Sequence, residues 1–191
     1  QLLDGGIERI TVEYYGEVSN LTLAPLTVAV LKGLFAPILE TTVNAVNAPF
    51  IAKNRGIEVK EIKGSDAGEY TSLIRIHVEA AKQIHQLAGT LYHKKEPRIV
   101  ESNAYPVEVI PEGNMLLIYN VDRPGVIGIV GRILGEHEVN IARMQCSRTE
   151  KGSNALLIIG LDGPPLPKVV EKIKQVKDII SVRLVYLTRV E

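Results

Sequence analysis

Asp122, Pro124 and Gly125 stand in the stretch NVDRPGVIGIVGRI, residues 120–133, where an apolar strand gives way to an apolar helix. Two kinds of chemistry use a bare backbone at such a point. One is the dinucleotide turn, G-x-G-x-x-G with an acid about 20 residues on. Here the glycines are Gly125, Gly128 and Gly131, at i, i+3 and i+6, and that spacing does not match. Within a helix, Gly128 and Gly131 are better suited to close approach of a neighbouring element. A G-x-x-x-x-G-K-[ST] phosphate loop is also missing from the sequence.

The other chemistry is the grip on a free α-amino acid. Asp122 ends the strand, Pro124 stiffens the turn, and Gly125 removes side-chain bulk at the helix start. The first N–H groups of a helix lack internal partners and sit at its positive end, which suits a carboxylate. The Asp122 carboxylate suits an ammonium. Asn140, at the start of the next strand, carries a donor and an acceptor and suits either group. The simpler account of Asp122 is a plain helix cap. Residue by residue, both accounts stay open.

These residues must be positioned by the elements around them. In residues 113–191 the hydrophobic periodicity predicts strand 115–122, helix 126–138, strand 140–149, strand 154–161, helix 168–176 and strand 179–187. Val126, Ile129, Val130, Ile133 and Leu134 form the inward face of the first helix. The order β-α-β-β-α-β is the ferredoxin-like split unit. Leu156 and Ile158 are apolar as well as Leu157 and Ile159, and Val185 and Leu187 as well as Leu184 and Tyr186. A sheet apolar on both faces calls for a second cover, expected to be another chain or domain.

Residues 1–112 form the other block, divided from the second by Pro111-Glu112-Gly113-Asn114. Strands are predicted over 7–18, 57–63, 72–80 and 83–93, with a hairpin over 99–111 turning near Ser102–Tyr105. A helix is expected from Ala24 to Leu39, capped by Asn20 or Thr22, and a second around Asn47–Asn54. Apolar residues surround much of the first helix, so its burial is expected. The strands read as following one another without crossover helices. The fold class is therefore α+β in two domains, 1–112 and 113–191.

Composition narrows the function. Lys+Arg and Asp+Glu are 22 each among 191 residues, so no basic field is available for nucleic acid. The pair Lys94-Lys95 reads as solvated surface. No apolar stretch reaches the ~18 residues of a membrane span. A single cysteine, Cys146, excludes an intrachain disulfide and fits a reducing, cytoplasmic setting. It alternates with Ala142 and Met144 on one strand face and is expected to be buried. His77, His85, His93 and His137 show no metal-binding spacing. No nicotinamide site and no general base is recognisable, so the chain itself is expected to be catalytically silent, with no cofactor of its own. QLLDGG at the start reads as the last turn of a helix, which suggests a chain clipped from something longer.

The stretch NVDRPGVIGIVGRILGEHEVNIARMQ closely resembles the ACT domain, an amino-acid-sensing module of metabolic enzymes. GGIERITVEYYGE, VNAPFIAKNRGIEV and RIVESNAYPVEVIPEGNMLLI resemble the intervening, allosteric-substrate-binding domain of the long-form D-3-phosphoglycerate dehydrogenases. The resemblance covers essentially the whole chain. It implies a parent NAD-dependent oxidoreductase at the first committed step of L-serine biosynthesis, whose catalytic and nucleotide-binding domains lie in the missing N-terminal part. It implies feedback inhibition by L-serine held between ACT domains of two subunits, hence a homo-oligomer. The matching positions are Asn120 and Asp122 from one chain and Asn140 from the other, completed by the backbone of Arg123, Pro124, Gly125 and Val126. Asn120 departs from the His or Tyr of some members and alters pocket size. An anion site in the intervening domain is implied for some members. Arg98, Lys53 and Arg55 are its candidates here, although the turn Asn103-Ala104-Tyr105-Pro106 matches poorly. Two rivals remain: an oligomerisation module without a working effector site, and the beta part of an iron–sulfur L-serine dehydratase. The S-S-S-H-T-like stretch of the latter is absent from the sequence.

Overall fold

The computed structural model describes residues 6–39, 41–81, 83–93 and 95–187. The helical turn expected before Gly6, and Lys94, lie outside them. The chain divides into two compact units, Gln1–Asn103 and Ala104–Glu191.

The first unit begins with β1 (Ile7–Gly16) and a short 3-10 turn, followed by α1 (Ala24–Phe35), α2 (Ala48–Asn54), β2 (Glu58–Gly64), β3 (Ser72–Ala80), β4 (Gln83–Tyr92) and β5 (Glu96–Ser102). Alternation along β1 sends Ile10, Val12 and Tyr14 to one face, where all are fully buried against Leu31, Phe35, Ala48 and Ala52. Burying the Tyr14 hydroxyl requires a partner, and Thr27 Oγ1 lies 2.7 Å away. Thr27 in turn donates to Glu61 on β2. Gly16 has φ +73°, and a Cβ there would sit 2.3 Å from Thr71 O, so both conformation and space demand glycine.

Within this unit the strands lie in the order β2-β1-β3-β4-β5, part of a six-stranded sheet, and β1 pairs with β2 in parallel. That corrects the expectation of no crossover: a parallel pair needs one, and α1 with α2 supply it. The expected burial of α1 is also corrected. It buries a single stripe, Thr27, Leu31 and Phe35, at i, i+4 and i+8. Neither Asn20 nor Thr22 caps it; the N-cap is Leu23, without a side-chain hydrogen bond.

The second unit comprises β6 (Tyr105–Val109), β7 (Gly113–Val121), α3 (Val126–Glu136), β8 (Ile141–Arg148), β9 (Asn154–Leu161), α4 (Pro167–Lys174) and β10 (Ile179–Leu187). The sheet order β10-β7-β9-β8 is antiparallel throughout. Leu116, Ile118, Leu157, Ile159 and Val182 meet Val130, Ile133 and Leu134 of α3 and Val169 and Ile173 of α4. Met115, Leu117, Leu156, Ile158 and Val185 point the other way and are also buried. Part of that second cover is β6. Ser147 Oγ donates to Pro106 O, the Glu108 N–H donates to Gln145 Oε1 at 2.8 Å, and the Tyr105 ring meets Tyr119 edge-on at 5.8 Å.

Three further expectations are corrected here. Ile129 is 41% exposed rather than inward, because only Val126, Val130, Ile133 and Leu134 face the sheet. A Cβ on Gly128 or Gly131 would meet nothing within 4 Å, so among the described residues no neighbour approaches them closely. Cys146 is exposed, not buried. It shares the helix-side face of the sheet, but β8 is the outer strand, and the helices pack on β7, β9 and β10.

Candidate functional site

The turn from Asp122 to Gly125 joins the end of β7 to the start of α3. Gly125 is the helix N-cap at φ +94°, a left-handed conformation that favours glycine; a Cβ there would meet no atom within 4 Å. Conformation, not crowding, selects the residue. No side chain caps α3, so Asp122 is not the plain helix cap that the sequence left open. The helix therefore starts without a side-chain cap on its opening N–H groups.

Two neighbouring loops brace this turn. The Val121 N–H donates to Asp178 O at 2.8 Å, and the Asp122 N–H donates to Ser153 O at 2.8 Å. Asp122 Oδ2 accepts from Arg148 Nη1 at 2.7 Å and from the Gly152 N–H at 3.2 Å. The Arg148 guanidinium, and then the Gly152 N–H, hold the Asp122 carboxyl below its ordinary pKa. Arg123 Nη1 lies 3.5 Å from Asp178 Oδ1. Cys146 stands close enough to respond to Asp122. Its thiol is pushed up first by partial desolvation of the sulfur and then by that carboxylate.

Asn120 and Asn140 are placed differently. Asn120 is buried one residue before the end of β7, and its Nδ2 donates to Val121 O at 2.8 Å. Asn140 is exposed just before β8, and its Nδ2 donates to Asp162 Oδ2 at 2.6 Å. The 11 residues of α3 separate Asn140 from the Asp122 turn, a rise of about 16 Å. Asn120, Asp122, Arg123, Pro124, Gly125 and Val126 thus come together in one chain, and Asn140 does not join them.

The anion candidates of the first unit are scattered. Arg98, on β5, is engaged by Glu96 Oε2 at 2.7 Å and by Pro97 O at 3.0 Å, and lies over the Tyr92 ring at 5.4 Å. Lys53 and Arg55 are exposed at the C-terminal end of α2, which packs on α1 and β2. From β2 to β5 is four strand steps, about 19 Å. Among the described residues, no group of three or more His, Cys, Asp or Glu side chains is placed to hold a metal. No helix among them is long and apolar enough to cross a membrane.

Sequence reasoning missed Arg148, Gly152, Ser153 and Asp178. A signal for the first three existed. In the order β10-β7-β9-β8 the start of β9 lies beside the end of β7, with Val121 opposite Asn154. The β8–β9 turn must therefore meet Asp122.

The first unit matches the family model described as the D-3-phosphoglycerate dehydrogenase intervening domain, over residues 1–103. The chain belongs to that D-3-phosphoglycerate dehydrogenase family. Residues 114–178 match the ACT domain and contain the Asp122 turn together with Arg148 and Asp178. A D-3-phosphoglycerate dehydrogenase of Methanocaldococcus jannaschii is 40% identical over 187 residues, covering 98% of this chain and 35% of that protein. Those of Bacillus subtilis and Archaeoglobus fulgidus are each 35% identical over 187 residues, covering 98% and 97% of this chain and 36% and 35% of theirs. The chain thus spans about a third of the length of these relatives.

Proposed function

We propose that this chain is the regulatory part of an NAD-dependent D-3-phosphoglycerate dehydrogenase and binds L-serine as feedback inhibitor between two copies of its ACT unit. The parent reaction, oxidation of D-3-phosphoglycerate on the way to L-serine in the cytoplasm, belongs to catalytic and nucleotide-binding domains joined to it. The observation that carries the serine reading is the Asp122 turn, which sets an ionised carboxylate next to an uncapped helix N-terminus. One end of that pair suits the ammonium of an amino acid and the other suits its carboxylate. Asn140 lies a helix length from Asp122 in its own chain, so it completes the site only when a second copy supplies it. Serine bridging two copies favours one arrangement of subunits, and only its differential affinity for that arrangement shifts activity.

Isothermal titration of the chain with L-serine tests the reading. Heat at or below millimolar serine is the expected result. A folded dimer that takes up no serine would overturn it. The chain is expected to remain dimeric at micromolar concentration by sedimentation.

One observation favours a second reading. Asp122 already has a partner in Arg148, so its charge is balanced without a ligand, as in an oligomerisation module that has lost its effector. Asp122→Ala separates the two. Under the serine reading it abolishes binding and leaves the dimer intact; under the second there is no serine binding to lose.

A further inference from the structure

Asp122 is held more firmly than a surface aspartate needs to be. Its main chain is pinned to the β8–β9 hairpin through Ser153 O at 2.8 Å. Its side chain is pinned to the same hairpin twice, by Arg148 Nη1 at 2.7 Å and by the Gly152 N–H at 3.2 Å. Both side-chain contacts fall on one oxygen, Oδ2. Among the described residues, no hydrogen bond reaches Oδ1. The terminal torsion of a free aspartate is broad and nearly two-fold, so an unbraced carboxylate would present either oxygen in many directions. Two donors on one oxygen remove that freedom.

We propose that Arg148 is a positioning residue of the effector site: by gripping Oδ2 it orients the Asp122 carboxylate and reserves Oδ1 for the ligand's ammonium. The inference rests on the serine reading above. The neighbouring cation, Arg123, is drawn toward Asp178 at 3.5 Å. That leaves Arg148 as the cation within hydrogen-bond reach of Asp122. A guanidinium keeps its charge at every physiological pH, so the donor is present throughout that range. The opposite role would make Arg148 a competitor that the ammonium must displace. The two roles predict opposite effects of removing the guanidinium.

The experiment is L-serine titration of the full chain between pH 4 and 8, comparing the unaltered protein with Arg148→Met and Arg148→Lys. A positioning role predicts that Arg148→Met weakens binding about 10- to 100-fold at neutral pH. It also predicts that the acid limb of its binding profile moves to higher pH, because Asp122 loses the partner that lowers its pKa. Arg148→Lys restores part of the affinity, since an ammonium supplies the charge without the planar fork. Unchanged affinity with an unchanged pH profile in Arg148→Met overturns the proposal, and so does tighter binding, the mark of a competitor. Should Arg148→Met fail to fold, Arg148→Gln is read by the same criteria. If the unaltered chain takes up no serine, the serine reading fails and takes this inference with it; if it binds normally and the variant matches it, only the role of Arg148 fails.

Discussion

The two sheets close the faces turned away from their helices by different chemistry. In the first unit that face carries a half-buried polar lattice beside a small apolar cluster of Leu73, Ala88 and Val100. Arg75 bridges Glu13 at 3.4 Å and Glu101 at 3.2 Å, Tyr15 donates to Glu13 at 3.0 Å, and Gln86 donates to Glu101. His77 Nε2 lies 3.2 Å from Glu13 Oε1, and Arg9 joins Glu58 at 2.6 Å to Glu79 at 2.9 Å. In the second unit the matching face carries Met115, Leu117, Leu156, Ile158 and Val185, all buried. A charged face tolerates water because each ion has a partner or a solvent shell. An apolar face must be covered, at about 25 cal/mol for each Å² removed from water. The second sheet should therefore be the more sensitive to truncation, and the first to loss of single charges.

The largest effect is expected at Leu156, fully buried on the second sheet. Leu156→Ala should cost about 2–5 kcal/mol in denaturant unfolding of the chain. A loss below ~1 kcal/mol would show that this face collapses around the gap, and the contrast between the sheets would weaken. Arg75→Met comes next, at about 1–2 kcal/mol, because it strips Glu13 and Glu101 of a shared cation whose side chain is 27% exposed. A double variant with Glu13→Gln that adds no further loss would show that the lattice acts as a unit. Tyr14→Phe, on the helix side of the first sheet, should cost about 1 kcal/mol, the net worth of a buried hydroxyl bond to Thr27. Equal stability in that variant would mean that Thr27 is satisfied by Glu61 alone.

The smallest effects belong to the exposed pairs. Arg9→Gln should change stability only at low salt, since added salt screens such pairs. The carboxyls of Glu58, Glu136 and Asp122 are lowered, first by hydrogen bonds from Arg9, Lys172 and Arg148 respectively. The stability they contribute is present above the ordinary carboxylate range near ~4. It is lost as pH falls through their lowered values. Acid unfolding followed by circular dichroism should show the stability supplied by these pairs declining only below that range; a decline near neutrality would point to other groups.

Much of the fold was legible in one dimension. Each strand and helix of the second unit follows from local periodicity, because alternation at 2 and at 3.6 residues records which face is buried. The D-R-P-G turn was legible for the same reason: proline, glycine and an acid at a strand end are local signals. The parallel pairing of β1 with β2 was not, since a run of alternating residues says nothing about which strand lies beside it. Nor was the exposure of Cys146, which depends on β8 being the outermost strand. The contacts of β6 with Ser147 and Gln145 of β8, some 40 residues further along the chain, were not legible either.

The same division runs through the site. Residue types and their spacing already made Asp122 and the start of α3 a place for opposite charges, because that preference comes from the chemistry of a few neighbouring residues. The partner that holds Asp122 was out of reach of such reading. Arg148 lies 26 residues away in the chain, and it meets the carboxylate only because β9 pairs with β7 and carries the hairpin to the end of that strand. Contacts of that kind are set by strand order and register, which emerge only when the whole sheet assembles.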